Sequence, residues 1–112
     1  MKLVTAIIQP SRLDSVKAAL EHAGVHGMTV SGASGFGRQK GHAANYEGPE
    51  YTSELIEKIR IEILIENVDA EKVVGVIVSA AQTGAIGDGK VWVVPVEDVA
   101  RVRTGERGSA AL

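Results

Sequence analysis

Isoleucine occupies every second position from Ile59 to Ile65, and the positions between hold Arg60, Glu62 and Leu64. Alternate residues of a β-strand lie on the same face of a sheet, so this run predicts a strand with one apolar face and one mixed face. Four isoleucines on one face must be covered by other elements. The rest of the fold is therefore expected to be arranged around this strand.

Other strands are predicted from apolar and β-branched runs. A strand at 2–8 is mostly apolar, and a second at 28–31 alternates before a glycine-rich exit. A strand at 90–96 is β-branched around a tryptophan, and Pro95 marks a sheet edge or a strand end. The segment 99–103 is expected to form one more short extended piece.

Two helices are predicted between these strands. Apolar residues recur at helical spacing between 13 and 23, with Ser11 as the N-cap candidate and Gly24 as the left-handed terminator. A second apolar helical face follows Asp69, a candidate cap, and closes at Gly84.

The predicted order is β-α-β-loop-β-α-β, which is the split pattern of a ferredoxin-like α+β sandwich. A single domain over residues 1–112 accounts for this order, because 112 residues can enclose one modest core. Two helices cover one face of the antiparallel sheet. The other face carries Leu64 and several valines, so a homo-oligomer is expected.

Charge and composition exclude several classes of function. Twelve Lys and Arg oppose fourteen Asp and Glu, and no long basic run occurs, so no nucleic-acid partner is expected. No apolar stretch approaches the roughly 20 residues that cross a bilayer, and a cytoplasmic location is expected. The absence of cysteine excludes thiolate catalysis and Cys-ligated zinc.

The segment 84–90, GAIGDGK, has the glycine and lysine spacing of a phosphate-binding loop. A Walker loop leads from a strand into a helix and ends in Ser or Thr, whereas this segment leads from a helix into a strand and is followed by Val91. A P-loop NTPase is therefore rejected. Two interpretations remain for these residues alone: an anion cradle of another kind, and a glycine-rich turn with a solvated lysine.

Two other segments are candidates for binding a ligand or a partner. Arg101 and Arg103 project from the same side if their segment is extended. Two interpretations are open: the pair binds phosphates, or both side chains are exposed to solvent on an edge strand. From about Phe36 to Glu57 neither the strand period nor the helix period holds. This long loop is the first place to look for contact with a partner.

Several segments are more specific than these patterns: GFGRQKGH at 35–42, Tyr46, Glu50-Tyr51, AQTG at 81–84, IGDGKVWV at 86–93 and RVRTGE at 101–106. Together they closely resemble the PII signal-transduction family, the trimeric nitrogen regulators. The resemblance covers the whole chain without an evident gap. The closing segment 102–108 and the Val91-Trp92-Val93 variant resemble actinobacterial members.

The resemblance implies a homotrimer that binds ATP or ADP in each cleft between neighbouring subunits. It implies that the phosphates meet the backbone of Gly87, Asp88 and Gly89 and the side chains of Arg38, Lys90, Arg101 and Arg103. Adenine would contact Thr29 and the backbone of Leu64, and Gly37 would also bind the nucleotide. It also implies 2-oxoglutarate bound through Mg²⁺ and ATP. Gln39 would coordinate the metal, and Lys58 would pair with a carboxylate.

The resemblance further implies that the T-loop, at about 36–55, binds protein targets, and that a C-terminal tail follows at about 104–112. Tyr51 keeps its place in this loop, so its nucleotidylylation is chemically open. Glu47 stands where relatives that plug ammonium channels have an arginine, which argues against channel docking. The sequence names no target.

Gln9 and Ala85 depart from the family pattern, because the family usually has a basic residue at the first position and lysine at the second. The predicted function is a sensor of adenine nucleotides and 2-oxoglutarate, and not an enzyme. One alternative is a divergent regulator that senses another small anion in the same cleft, or that serves a carbon-metabolism or transport operon. A minor alternative is a small ferredoxin-like enzyme such as an acylphosphatase, although no activated nucleophile stands out.

Overall fold

The computed structural model describes residues 1–37 and 54–112. These residues form four strands and two α-helices, as the sequence predicts. In chain order the elements are β1 (Lys2–Ile8), α1 (Leu13–His22), β2 (Thr29–Gly35), β3 (Ile56–Ile65), α2 (Ala70–Ala81) and β4 (Gly89–Pro95). Neither helix has the length and apolarity that a bilayer crossing requires, within the described part of the chain.

The four strands form one antiparallel sheet in the order β2-β3-β1-β4. Lys2 lies opposite Ile65 on one side and Pro95 on the other, whereas Ile8 lies opposite Ile59 and Gly89 at the far end. β1 and β3 are therefore the central strands, and β4 is an edge strand that ends at its proline. The ferredoxin-like α+β fold is confirmed.

The core lies between the helices and one face of the sheet. Alternate residues of β1 and β3 supply this face, and Ile61 and Ile63 are at most 1% exposed. Val16 and Leu20 of α1 are equally buried against it. The remaining buried apolar residues are Val4, Ala6, Ile8, Val73, Ile77 and Ala81. Each large aliphatic side chain buried here contributes about 1.5–3 kcal/mol, so the isoleucine alternation indeed organises the fold.

The opposite face of the sheet is largely exposed in the single chain. Trp92, Val94 and Leu64 are each more than 40% exposed, and Leu3 lies between Val94 and Leu64 in the strand register. Buried Thr5 lies next to Trp92 on the same face. This face has the apolar character that led us to expect a homo-oligomer.

Helix beginnings differ from the prediction. Ser11 lies within a 3₁₀ turn at Pro10–Arg12, and α1 starts only at Leu13, so Ser11 does not cap it. Pro10 explains the turn, because a proline is favoured in the first turn of a helix. Asp69 occupies the N-cap position of α2, but its side chain makes no capping hydrogen bond. Gly24 ends α1 with a φ of 94°, as predicted.

Three predicted bounds of secondary structure are wrong. α2 ends at Ala81 instead of closing at Gly84, because Gln82 already has an extended backbone with a ψ of 129°. β2 continues through Gly32 to Gly35 instead of ending at residue 31, because β3 provides ladder partners as far as Ile56. The segment 99–103 is not a strand: Gly105, with a φ of 76°, donates its N–H to the carbonyl of Arg101 and closes a tight turn. Arg101 and Arg103 therefore do not share one side of a strand.

Candidate functional site

A cleft of about 570 Å³ lies at the end of the sheet where β1 finishes and β4 starts. Its walls come from Ile7, from the end of β2 with residues 36–37, from Lys58, and from residues 85–90 with Trp92. The cleft opens on the helix-free face, since Ile7, Lys90 and Trp92 all belong to the alternate set that faces away from the core. The glycine-rich segment is thus one wall of this cleft.

The turn between α2 and β4, residues 82–89 and called the glycine turn below, depends on residues without a side chain. Gly84, Gly87 and Gly89 have φ values of 88°, 105° and 102°, in the region that L side chains rarely adopt. A Cβ on Gly89 would lie 1.7 Å from the carbonyl oxygen of Ile7. Only glycine therefore allows the turn to approach the end of β1 so closely.

The carboxylate of Asp88 holds the glycine turn together. Oδ2 accepts the backbone N–H groups of Thr83 (2.7 Å) and Gly84 (2.9 Å), and Oδ1 accepts the Thr83 hydroxyl (2.5 Å). Oδ1 also accepts a hydrogen bond from the side-chain amide of Gln9 (2.8 Å). The Thr83 hydroxyl, followed by the other donors, lowers the pKa of Asp88 to about 2. The side chain is therefore an anion whose bonds serve the turn.

Lys58 brings a positive charge to the same place. Its Nζ donates a hydrogen bond to the carbonyl of Gly87 at 2.8 Å, which fixes the middle of the glycine turn. Desolvation lowers the pKa of Lys58, and the negative charge of Asp88 opposes that shift. Lys90, directly after the turn, is exposed and also lines the cleft. The cleft thus combines two lysines with a backbone that can approach a ligand closely.

The structure divides the predicted site residues into two groups. Gly37, Lys58 and the residues from Gly87 to Lys90 line the cleft. Thr29 lies opposite Glu62 toward the other end of the sheet, and Leu64 lines a second cleft, of about 360 Å³, together with Leu112. Arg38, Gln39 and Tyr51 lie outside the described residues.

Arg101 belongs to the second group. Its guanidinium donates to Glu106 Oε1 (2.9 Å) and to the carbonyl of Leu112 (3.0 Å), so it lies near the second cleft. Glu106 also accepts the Thr104 hydroxyl at 2.8 Å. Arg103 is exposed in the intervening turn. Among the described residues, Lys90 and Arg101 therefore do not converge within one chain, although both were predicted to bind phosphate.

Two residues that form hydrogen bonds with Asp88 were not predicted to act at this site. From the sequence, Gln9 stands out only because a basic residue is usual at its position, and Thr83 only as part of the segment 81–84. Their bonds to Asp88 join positions up to 79 residues apart, which no local pattern reports. In the described residues, His, Asp and Glu side chains form no group of three that could hold a metal ion.

Comparisons with known proteins agree with the sequence motifs. The family model described as nitrogen regulatory protein P-II matches residues 1–106. The nitrogen regulatory protein P-II of Microchaete diplosiphon is 53% identical over 112 residues, and that of Azospirillum brasilense is 50% identical, each match covering all of both chains.

A solved structure of Arabidopsis thaliana PII bound to citrate superposes on this fold with a TM-score of 0.82 at 40% identity. The match covers 99% of this chain and 91% of that one. The similarity therefore extends over sequence and fold alike. The resemblance to actinobacterial members stays a prediction.

Proposed function

This chain belongs to the nitrogen regulatory protein P-II family and is a signalling regulator rather than an enzyme, and on that premise we propose that it binds ATP and ADP competitively at the first cleft. The family membership removes the small-enzyme alternative. The bound nucleotide would select among conformations that different protein targets recognise.

The observation that carries this proposal is the internal use of the Asp88 carboxylate. An acidic side chain in the centre of a glycine turn would ordinarily repel a phosphate. Here its oxygens accept hydrogen bonds from Thr83, Gly84 and Gln9. Lys58 and Lys90 remain as cations on the cleft wall, and of the two interpretations of the segment 84–90 this geometry favours the anion cradle.

The separation of the two ligand groups supports a site shared between subunits. Lys2 and Ile8 mark opposite ends of β1, which at about 3.3 Å per residue lie roughly 20 Å apart. The lysines and the glycine turn are at one end, and Leu64 with Arg101 is at the other. We assign the phosphates to the first group and adenine with the arginines to a neighbouring subunit of a homotrimer. The apolar, helix-free sheet face supplies a surface for that contact.

A second effector is proposed for the same cleft. Lys58 lines it and offers a charge to a carboxylate of 2-oxoglutarate. Bound Mg²⁺ would bridge this dianion and ATP and offset their repulsion. Gln39, the metal ligand that the sequence predicts, lies outside the described residues. Four further points stay predictions. They are the recognition of targets by the T-loop, the modification of Tyr51, the effect of Glu47 on channel docking, and a cytoplasmic location.

A divergent sensor of another small anion is the second candidate. The observation that favours it is that Arabidopsis PII was solved bound to citrate, a small polycarboxylate. Gln9 also gives this chain one cation fewer than the family pattern. Calorimetry with 2-oxoglutarate and with citrate, each with and without Mg-ATP, separates the candidates. Binding of 2-oxoglutarate only with Mg-ATP supports the first, and binding of citrate alone supports the second.

Nucleotide binding is tested by calorimetry on Lys90→Ala. A charge-assisted hydrogen bond contributes about 1.5–3 kcal/mol, so the ATP affinity should fall roughly ten- to a hundredfold. Lys17→Ala is the matched control, because Lys17 is exposed on α1 and paired with Glu21. An unchanged ATP affinity in Lys90→Ala would refute the assignment of the cleft.

A further inference from the structure

Gln9 connects the end of β1 to the glycine turn. It follows Ile8, the last residue of β1, and precedes Pro10, which starts the 3₁₀ turn before α1. Its side-chain amide donates to Asp88 Oδ1 at 2.8 Å and is partly buried. The other donors to this carboxylate, Thr83 and Gly84, belong to the glycine turn itself. Within the described residues, Gln9 therefore provides the side-chain link between the carboxylate and the sheet.

This link acts on the part of the turn that faces the cleft. Asp88 stands between Gly87 and Gly89, the residues whose backbone we propose to meet phosphates. Lys58 holds the carbonyl of Gly87, and Gly89 packs on the backbone of Ile7. With Gln9, the turn is fixed on both sides of Asp88. Its N–H groups are then oriented before a ligand arrives, which lowers the cost of binding.

The chemistry of the donor also matters. A lysine could make the same hydrogen bond, but it would add a full positive charge beside the carboxylate. An amide makes the bond without changing the charge of the cleft. We propose that Gln9 is a positioning residue of the nucleotide site, which orients Asp88 and through it the glycine turn while leaving the positive charge of the cleft to Lys58 and Lys90. This inference rests on the proposed function.

The test begins with the geometry, without nucleotide. In Gln9→Leu the carboxylate loses its link to the sheet, so the backbone amides of Thr83 and Gly84 should exchange with solvent faster in NMR hydrogen-exchange measurements. Gln82→Leu is the matched control, since it removes an exposed amide next to Thr83 that makes no bond to Asp88. Equal exchange rates in Gln9→Leu and the unaltered chain would overturn the inference.

The second measurement is the calorimetric affinity for ATP. Gln9→Leu should weaken binding about three- to tenfold, less than Lys90→Ala, because the lost hydrogen bond orients the glycine turn and does not itself contact the nucleotide. Gln9→Lys keeps a donor and should restore the affinity to at least the native level. A merely structural defect would not be rescued by this larger, charged side chain.

The third measurement is the pH dependence of ATP affinity in a variant that places a second carboxylate beside Asp88. In Gln9→Glu the introduced carboxylate meets Asp88 and should weaken ATP binding at pH 8. As the pH is lowered toward 5, protonation restores a donor, and the affinity relative to the unaltered chain should recover. The charged groups around the contact between residue 9 and Asp88 are Asp88 itself, Lys58 and Lys90. Arg12, in the 3₁₀ turn that follows Gln9, donates to the carbonyl of Ala80. No recovery at acid pH would contradict the inference.

These outcomes separate the inference from the proposed function. If the unaltered chain binds no ATP, the proposed function fails, while the exchange rates of Thr83 and Gly84 still report whether Gln9 orients the turn. If Lys90→Ala weakens binding and the Gln9 variants change neither exchange nor affinity, the function stands and the role of Gln9 fails.

Discussion

The glycine turn and two arginines of the C-terminal segment 98–112, Arg101 and Arg103, were both predicted to bind phosphate, and the structure builds the two regions in opposite ways. In the glycine turn the carboxylate of Asp88 bonds to the turn and to Gln9, and the lysines line the cleft. In the C-terminal segment Arg101 already holds Glu106 and the Leu112 carbonyl, and Arg107 is paired with Asp98. We therefore expect the glycine turn to accept a phosphate directly, whereas in the C-terminal segment a phosphate would first have to displace the Glu106 carboxylate from Arg101.

The glycine turn and the C-terminal segment also differ in the interactions that stabilise their conformation. The glycine turn depends on a close backbone approach that excludes any side chain at Gly89. The C-terminal segment depends on ion pairs whose side chains are between 35% and 69% exposed. Exposed ion pairs contribute only about 0.2–1 kcal/mol. Displacing Glu106 from Arg101 would therefore cost a phosphate up to about 1 kcal/mol, whereas the glycine turn tolerates little change.

The largest expected effect is that of Gly89→Ala. The added Cβ would overlap the Ile7 carbonyl at 1.7 Å, in a backbone conformation with a φ of 102°. Such a clash should lower the free energy of unfolding by about 4 kcal/mol or more, measured by urea denaturation. Gly84→Ala is the control: its φ is 88° but nothing lies within 4 Å of the added atom, so about 1–2 kcal/mol is expected. Equal losses would show that the approach to Ile7 is not the cause.

The next effect concerns Asp88 and pH. Its hydrogen bonds lower its pKa to about 2, below the ordinary value near 4. Its ionised form therefore contributes stability that is complete above about pH 4 to 5 and is lost as the pH falls through about 2. Asp88→Asn should melt at a lower temperature than the unaltered chain at pH 6. The difference between their melting temperatures should shrink below about pH 4, and a difference that stays constant down to pH 2 would contradict this assignment.

The contrast between the two regions also shows what a sequence can predict. The isoleucine alternation and Gly24 determine local geometry, so the order of the four strands, the end of α1 and the fold class were predicted correctly. The glycine turn was recognised as a possible anion cradle because its glycines and Lys90 are adjacent in sequence. The contact of Gln9 with Asp88 was not predicted, since it depends on the antiparallel pairing of β1 with β4.

The C-terminal segment was mispredicted for a related reason. Val99 and Val102 favour a strand locally, but Gly105 allows a turn, and Glu106 then stabilises it by accepting hydrogen bonds from Arg101 and Thr104. Whether a short β-branched segment becomes a strand depends on a neighbouring strand with free ladder positions. Here β4 ends at Pro95, and Ala100 bridges Arg107 of the same segment.

A third prediction compares the cations of the two regions. Arg101→Gln should weaken ATP binding less than Lys90→Ala, by about three- to tenfold as against ten- to a hundredfold. The reason is that Arg101 must give up Glu106 before it can bind phosphate, so its net contribution is smaller. Both constants come from the same calorimetric series. A larger loss for Arg101→Gln would mean that the C-terminal segment, and not the glycine turn, dominates phosphate binding.

The smallest effect is expected for Glu106→Gln, and its sign decides what Glu106 does. If Glu106 competes with phosphate for Arg101, removing its charge should strengthen ATP binding by up to about fivefold, the equivalent of an exposed ion pair. Weaker ATP binding in this variant would contradict the competition and would mean that Glu106 holds Arg101 in its binding orientation. Arg107→Gln, which breaks the pair with Asp98, is the control and should leave the affinity unchanged. Because ATP carries one phosphate more than ADP, a competing Glu106 should alter ATP affinity more than ADP affinity, so titrating both nucleotides separates competition from a general loosening of the segment.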